Sequence, residues 1–299
     1  MFASSNLRNA SGALAPILIL TLSLTSSLSA IAAGSASNEE DVKANKKVPA
    51  EIYSQAAYEA MKQGTAHAKK GEYRSALKCF DDAVRLCPKY ARAYANKSGI
   101  ENAQYKFADA IKDATKAIEL DASLVAAYVN RAWSYNKTRQ FDKAIADADK
   151  AISLDAKQAM AYVNRSHALN KLGKHEKSVA DATKAIELKP DLALAYANRA
   201  HSYIGMGQFD KAVQDCNKAI ELSPKLATAY GNRGHAYRHL GELQKAIDDC
   251  NKAISLDSKN GMPYFNRAQA YEALAKKDHE SAKKLGFIEA TDANEPKSR

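Results

Sequence analysis

The stretch YVNRAWSYNKTRQFDKAIADADKAISLD, residues 128–155, returns as YVNRSHALNKLGKHEKSVADATKAIELK at residues 162–189. A tyrosine marks a period of 34 residues in six successive copies: Tyr94, Tyr128, Tyr162, Tyr196, Tyr230 and Tyr264. Within a copy, apolar residues recur at helical spacing in two runs that are separated by a polar turn. The pattern predicts two antiparallel helices per copy, and a pair this short buries its apolar face only by stacking on neighbouring pairs.

These units resemble tetratricopeptide repeats. The resemblance is carried by the tyrosine, a small residue four places later, an alanine in the second run, and the prolines that close three copies, Pro88, Pro190 and Pro224. It implies an all-α fold, a right-handed superhelical solenoid of antiparallel helix pairs. The implied repeats are residues 57–90, 91–124, 125–158, 159–192, 193–226 and 227–260. Residues 261–287 are expected to form a degenerate seventh repeat whose helices cap the stack.

The N-terminal segment differs from the repeats. Residues 1–33 contain one arginine, then the apolar run ALAPILILTLSL, then small residues suited to cleavage. This layout is typical of a secretory signal peptide, with an uncleaved membrane anchor as the alternative and the only expected route to membrane contact. We expect a flexible polar linker at 34–50, a disordered tail at 288–299, and export to the periplasm, envelope or exterior of a bacterium.

Composition and motifs argue against catalysis. The chain is 46% hydrophobic and 26% charged, with a formal net charge of +10 that is dispersed along it. No glycine-rich phosphate loop, nucleophile elbow, zinc-protease motif or paired Cys-x-x-Cys is present, so we expect no enzyme activity, no cofactor and no metal site. Nucleic-acid binding is a minor alternative, because single-strand binders combine a basic groove with stacking aromatics and this chain has one tryptophan.

A cation and an acid vary together between copies. A basic residue follows each asparagine of the first helix, and an aspartate lies sixteen places after it. We call the following set the salt-bridge ladder: Lys97–Asp113, Arg131–Asp147, Arg165–Asp181, Arg199–Asp215 and Arg233–Asp249. Arg267 breaks the rule, because Lys283 occupies the place of its acid. The covariation favours internal ion pairs, and it leaves open whether each pair lies within one repeat or joins two.

The asparagine of each first helix has no covarying partner. The resemblance places it on the concave surface, where its amide can donate and accept hydrogen bonds to the backbone of an extended peptide. The alternative is a structural bond to a neighbouring turn. Arg92, four places before Asn96, and the residues three places after four of the asparagines complete the predicted peptide site. The site comprises Arg92, Asn96, Asn130, Trp133, Asn164, His167, Asn198, His201, Asn232, His235 and Asn266. The histidines are too far apart to share one zinc ion, and we expect them to give the groove a pH-sensitive charge.

These observations predict a protein–protein interaction scaffold that binds an extended segment of a partner protein. An envelope assembly factor that docks through its convex face or its cap is the second interpretation. A structural spacer with an empty groove is the third.

Overall fold

The computed structural model describes residues 54–287, which form thirteen α-helices and no β-strand. The all-α superhelical repeat fold predicted from the sequence is confirmed. The helices are α1 Gln55–Lys69, α2 Tyr73–Leu86, α3 Ala91–Ala103, α4 Phe107–Leu120, α5 Val125–Lys137, α6 Phe141–Leu154, α7 Ala159–Lys171, α8 His175–Leu188, α9 Ala193–Gly205, α10 Phe209–Leu222, α11 Ala227–His239, α12 Leu243–Leu256 and α13 Gly261–Lys284. The predicted signal peptide, linker and disordered tail lie outside the described residues.

Small residues let the two helices of a repeat pack closely. Ala132 in α5 and Ala144 in α6 are both fully buried, and the small residues at these two places are buried in the five other helix pairs as well. Ser178 stands where the second helices of the other repeats have alanine, and its hydroxyl donates to the main-chain oxygen of Ser166 at 2.9 Å. Because these side chains are short, each helix pair forms a thin layer that packs on the next layer on both sides.

The turn between the two helices of a repeat requires a left-handed residue. In the fourth repeat, Gly173 has φ +71° and donates its N–H to the oxygen of Asn170, while Lys174 donates to Leu169. Glycine supplies this conformation in four repeats, at Gly71, Gly173, Gly207 and Gly241. Tyr105 and Arg139 occupy the same place with φ 61°, where a side chain is sterically unfavourable.

The seventh unit differs from its prediction. A pair of helices was expected after residue 260, whereas α13 runs without interruption for 24 residues. Ala275 stands where the other repeats have the left-handed turn residue, and the helix formers on either side of it let α13 continue.

No helix within residues 54–287 is long and apolar enough to cross a membrane. In the same part of the chain none of the four cysteines forms a disulfide. Cys216 and Cys250 are fully buried, as expected for small apolar residues, whereas Cys79 is only half-buried.

Replacing Arg139 by glycine is expected to stabilise the protein. Glycine removes the steric cost of φ 61°, and its greater freedom in the unfolded chain offsets part of the gain, which leaves about 0.5–1 kcal/mol. Gly173→Ala is the matched control and should lose about 1 kcal/mol. Urea denaturation followed by circular dichroism measures both, and a destabilised Arg139→Gly protein would contradict this account of the turn.

Candidate functional site

The salt-bridge ladder joins the two helices of each repeat. In the third repeat, Nε and Nη2 of Arg131 donate to the two carboxylate oxygens of Asp147 at 2.7 and 2.8 Å. Three further repeats have the same bidentate pair, through Arg165–Asp181, Arg199–Asp215 and Arg233–Asp249. The question that covariation left open is therefore answered for the acid, which lies in the same repeat as its arginine.

The third nitrogen of each guanidinium reaches the preceding repeat. Nη1 of Arg131 donates to the hydroxyl of Thr115 at 3.0 Å, sixteen residues earlier. The acceptors at this place are Thr115, Asp149, Thr183, Asn217 and Asn251. In the second repeat, Nζ of Lys97 lies between Asp81 at 2.9 Å and Asp113 at 3.0 Å. The cation therefore bonds within its own repeat and to the one before it.

The ladder cations are engaged inside the protein. Side chains of Arg131 and Asp147 are 16% and 9% exposed, and the guanidinium also lies over the rings of Tyr128 and Tyr135. Removing one partner of such a pair leaves an uncompensated charge in a poorly solvated site. These cations hold the helices in register, and their hydrogen-bonding edges are not free for an anionic ligand.

The predicted peptide-binding asparagines bond to the neighbouring repeat. Nδ2 of Asn130 donates to the main-chain oxygen of Ala95 at 2.9 Å, across the contact between α3 and α5. The equivalent bonds are Asn164 to Val129, Asn198 to Val163 and Asn232 to Ala197. The amide donor of these four residues is thus used by the fold, which is the structural alternative that the sequence left open. Binding of a peptide through them is a prediction that these contacts do not support.

A second asparagine series, which the sequence analysis missed, completes this contact. Nδ2 of Asn102 donates to the main-chain oxygen of Asn130 at 2.8 Å, so that one amide reaches back across the interface and one reaches forward. Asn136 and Asn170 make the same bond to the oxygens of Asn164 and Asn198. We call each such pair of bonds a reciprocal amide contact. The signal was available in the sequence, because an asparagine recurs at 34-residue spacing in three copies.

The two ends of the predicted asparagine row differ from its middle. Nδ2 of Asn96 reaches the sulfur of Met61 at 3.4 Å rather than a main-chain oxygen. Asn266 is fully buried in α13, and neither of its amide atoms has a hydrogen-bond partner.

First helices of successive repeats line a groove on the inner side of the stack. Six of the eleven predicted peptide-site residues line this inner groove, namely Trp133, Asn164, His167, Asn198, His201 and Asn232. Pro263 at the start of α13 lines it too, so the stack curves around the groove from α5 to α13. Arg92, Asn96, Asn130, His235 and Asn266 do not line it.

The histidines of the inner groove are neutral. Burial, with repulsion from Lys137 and Lys171, lowers the pKa of His167 to about 3. Burial also lowers the pKa of His201 to about 4. The expectation of a pH-sensitive charge was therefore wrong near neutral pH, because the groove walls keep water from the imidazolium form.

Two lysines that the sequence analysis missed supply the positive charge of the groove. Lys137 and Lys171 end α5 and α7 at the same place in successive repeats, and neither has an ion pair within residues 54–287. Nζ of Lys137 lies 4.4 Å from the centre of the Trp133 ring. The side chain of Lys137 is exposed, but the groups around it partly desolvate its ammonium group and lower its pKa, Lys171 adds repulsion, and the carboxylate of Asp257 opposes these effects from a distance. This part of the groove suits a ligand that brings negative charge.

A buried carboxyl group lies beside the first cation of the ladder. Glu101 is 4% exposed, its Oε1 lies 3.8 Å from Nζ of Lys97, and its Oε2 has no hydrogen-bond partner. Burial and repulsion from Asp113 raise the pKa of Glu101 to about 8. Its proton is therefore retained in the folded protein at pH values where an unfolded chain has released it.

Residues 54–287 contain no group of three or more His, Cys, Asp or Glu side chains that could hold a metal ion. His235 and His239 lie one turn apart on α11 with their ring centres 5.1 Å from each other, and His239 stacks on Phe209.

Comparison with protein-family models gives a consistent match. Models described as tetratricopeptide repeat match residues 61–125, 125–158, 159–192, 193–226 and 227–260. No curated protein matches the chain.

Among solved structures, the chain is similar to the APC/C hetero-tetramer Cut9-Hcn1, with a TM-score of 0.65, 15% identity, and coverage of 84% of this chain and 49% of that one. It is also similar to PilW, a type IV pilus biogenesis factor, with a TM-score of 0.59, 17% identity, and coverage of 71% and 98%. A tetratricopeptide repeat protein from Parabacteroides merdae is similar with a TM-score of 0.56 and 20% identity, and the match covers 80% of this chain and 96% of that one. The match spans about half the length of the chain in the Cut9-Hcn1 structure. At these identities the likeness shows the fold alone.

Ala168→Ser is expected to stabilise the contact between α5 and α7. Ser134 and Ser202 donate to Oδ1 of Asn102 and Asn170, whereas Oδ1 of Asn136 is buried without a partner because Ala168 stands at that place. A serine there should gain about 1 kcal/mol.

Ala236→Ser is the matched control for this change, because Ile204 stands where the accepting asparagine would be. Guanidinium denaturation measures both variants. Equal effects in the two proteins would show that the added hydroxyl does not act through Asn136.

Glu101→Gln is expected to remove a pH dependence of stability. Between pH about 4.5 and 8 the folded protein binds a proton that the unfolded chain has lost, so the free energy of unfolding falls as the pH rises through this window. The variant lacks this loss, and its stability relative to the wild type should grow from pH 5 to pH 8. Urea denaturation at several pH values measures it, with the exposed Glu119→Gln as the control that keeps the wild-type slope.

Proposed function

This chain belongs to the tetratricopeptide repeat family, and from that premise we propose that it is a non-enzymatic scaffold that binds an extended, acidic segment of a partner protein in its inner groove. The observation that carries the proposal is the pair of groove lysines, Lys137 and Lys171, whose ammonium groups have no ion pair within the described residues. A bound carboxylate relieves the repulsion between them.

Geometry favours an extended ligand. First helices of neighbouring repeats lie about 8–10 Å apart, as packed helices do, and groups at the same place in two repeats share that spacing. In the extended polyproline II conformation three residues span about 9 Å and complete one turn, so side chains three positions apart point to the same side. A peptide with two acidic residues three positions apart can therefore place one carboxylate near Lys137 and the other near Lys171.

The rest of the groove supports binding of a peptide rather than of a metal or a nucleic acid. Trp133 offers an aromatic face, and the neutral rings of His167 and His201 each offer polar nitrogen atoms. The ladder cations, which a nucleic acid would need, are already bonded to aspartates. We propose that affinity comes from the lysines and Trp133, with the asparagines holding the walls of the groove in place.

A direct test uses two labelled ten-residue peptides, one with two glutamates three positions apart and one with glutamines in their place. Fluorescence anisotropy with the purified protein should show saturable binding of the glutamate peptide only, weakening as salt is added. The double variant Lys137→Ala/Lys171→Ala should bind it at least tenfold more weakly.

The control variant Lys150→Ala/Lys252→Ala removes the same charge from exposed places on α6 and α12. It should bind as the wild type does. Binding that both double variants lose equally would be a net-charge effect, and the absence of binding to either peptide would favour a structural spacer. Either result would contradict the proposed function.

A further inference from the structure

We propose that the exposed face of α13 is a second docking site, which takes an amphipathic helix of a partner protein with an aspartate opposite Arg267. We define this terminal face by Tyr264, Phe265, Arg267, Ala268 and Tyr271. It lies on the outer side of the last helix, and the proposal does not depend on what the inner groove binds.

Tyr264, Ala268 and Tyr271 occupy the register that a second helix covers in the preceding repeats. Phe265 occupies the register of Val129 and Val163, whose main-chain oxygens accept a hydrogen bond from the following repeat. In α5, Tyr128 is 7% exposed and Ala132 is fully buried, because α6 packs on them. The equivalent residues of α13 are open, with Tyr264 at 41%, Ala268 exposed and Tyr271 at 53%. Phe265 beside them is 59% exposed. Tyr264 and Tyr271 thus present two exposed rings on the same helix face as the small Ala268, and Phe265 adds a third ring at the edge of that face.

Arg267 provides an independent observation that points to the chemistry of the occupant. Like its counterparts, it donates from Nη1 to the preceding repeat, to Asn251 at 2.6 Å, and it lies over the ring of Tyr264. Its counterparts bind an aspartate with Nε and Nη2, for example Arg233 with Asp249 at 2.7 Å. Lys283 stands at the place of that acid, and Arg267 has no ion pair within residues 54–287. One edge of the guanidinium is therefore free for a bidentate carboxylate.

The described part of the chain cannot supply the missing helix. In the other repeats the chain reverses at a left-handed residue and the second helix returns along the first. Because α13 continues straight through Ala275, its second half leads away from the terminal face.

Charge favours a different protein over a second copy of this chain. Helix α13 has five basic side chains, Arg267, Lys276, Lys277, Lys283 and Lys284, against three acidic ones, Glu272, Asp278 and Glu280. Pairing two such helices brings like charges together, whereas an acidic partner is attracted.

The second helices of this chain show what such an occupant needs. Five of the six have a small residue followed three positions later by the aspartate of the ladder, as in Ala144 and Asp147, Ala212 and Asp215, and Ala246 and Asp249. The small residue lets the helix approach closely, and the aspartate then faces the arginine. We therefore expect the occupant to carry a small residue and an aspartate three positions apart on its apolar face.

A synthetic peptide with the sequence of α6, Phe141–Leu154, is the probe. An isolated helix of this length is marginal in water, so a hydrocarbon staple across the exposed positions Ala146 and Lys150 holds it helical. Fluorescence anisotropy with the full chain should give saturable binding. Replacing Asp147 of the peptide by asparagine, or Arg267 of the protein by glutamine, should weaken binding at least tenfold, and so should Tyr271→Ala.

The controls separate this site from the inner groove. Lys137→Ala/Lys171→Ala should leave binding of the helical peptide unchanged, and Lys276→Gln, on the same helix, should have little effect. Circular dichroism verifies that each variant is folded. The proposal is overturned if binding is absent, or if it is equal with the asparagine peptide. It is also overturned if sedimentation shows a dimer that Tyr271→Ala dissociates, because a second copy then occupies the face.

Discussion

Main-chain carbonyl groups in the middle of the first helices are the points at which one repeat holds the next. A carbonyl inside an α-helix already accepts one bond from its own helix, and its second lone pair remains available. The side-chain amide of Asn130 donates to the main-chain oxygen of Ala95, and the side-chain amide of Asn102 donates in the opposite direction to the main-chain oxygen of Asn130. Two such bonds fix both the register and the rotation of neighbouring helices. The curvature that brings Trp133 and Pro263 to the same groove is built from these contacts repeated along the stack.

The salt-bridge ladder joins the first helix of each repeat to the second, whereas the amide contacts join first helices to each other. The Arg131–Asp147 pair holds the two helices of one repeat, and Nη1 of the same guanidinium holds the repeat before it. Since the ladder satisfies its own charges, the positive charge that remains in the inner groove belongs to Lys137 and Lys171. The fold and the proposed binding site thus draw on different sets of cations.

A contact can be predicted from the repeats of one sequence when both partners are side chains and their residue types change together from repeat to repeat. The first copy has Gln63 and Cys79 at the two places and so lacks both the cation and the acid, and this covariation linked the two places before any geometry was known. The structure then assigned Asp147, of the same repeat, to Arg131. Asn130 has no such signal, because its acceptor is a backbone oxygen that every residue type provides. The helix pairs were predicted from hydrophobic periodicity. The continuous helix α13 was not predicted, although its only sequence signal is that Ala275 stands where four other repeats have glycine. The neutral state of His167 depends on how tightly the stack curves, and a 34-residue period does not specify curvature.

The reciprocal amide contacts are unevenly distributed along the chain. Both bonds are present between α3 and α5, α5 and α7, and α7 and α9. The contact between α9 and α11 has one bond, from Asn232, and Ile204 replaces the second asparagine. At the last contact the amide of Asn266 has no partner. In a linear array whose units interact only with their neighbours, cooperativity is set contact by contact. The contacts between repeats are therefore strongest in the middle of the stack and weaker towards its ends. Lys137 and Lys171 lie in the strongly connected middle, whereas the terminal face lies at a weakly connected end that can adjust to a partner.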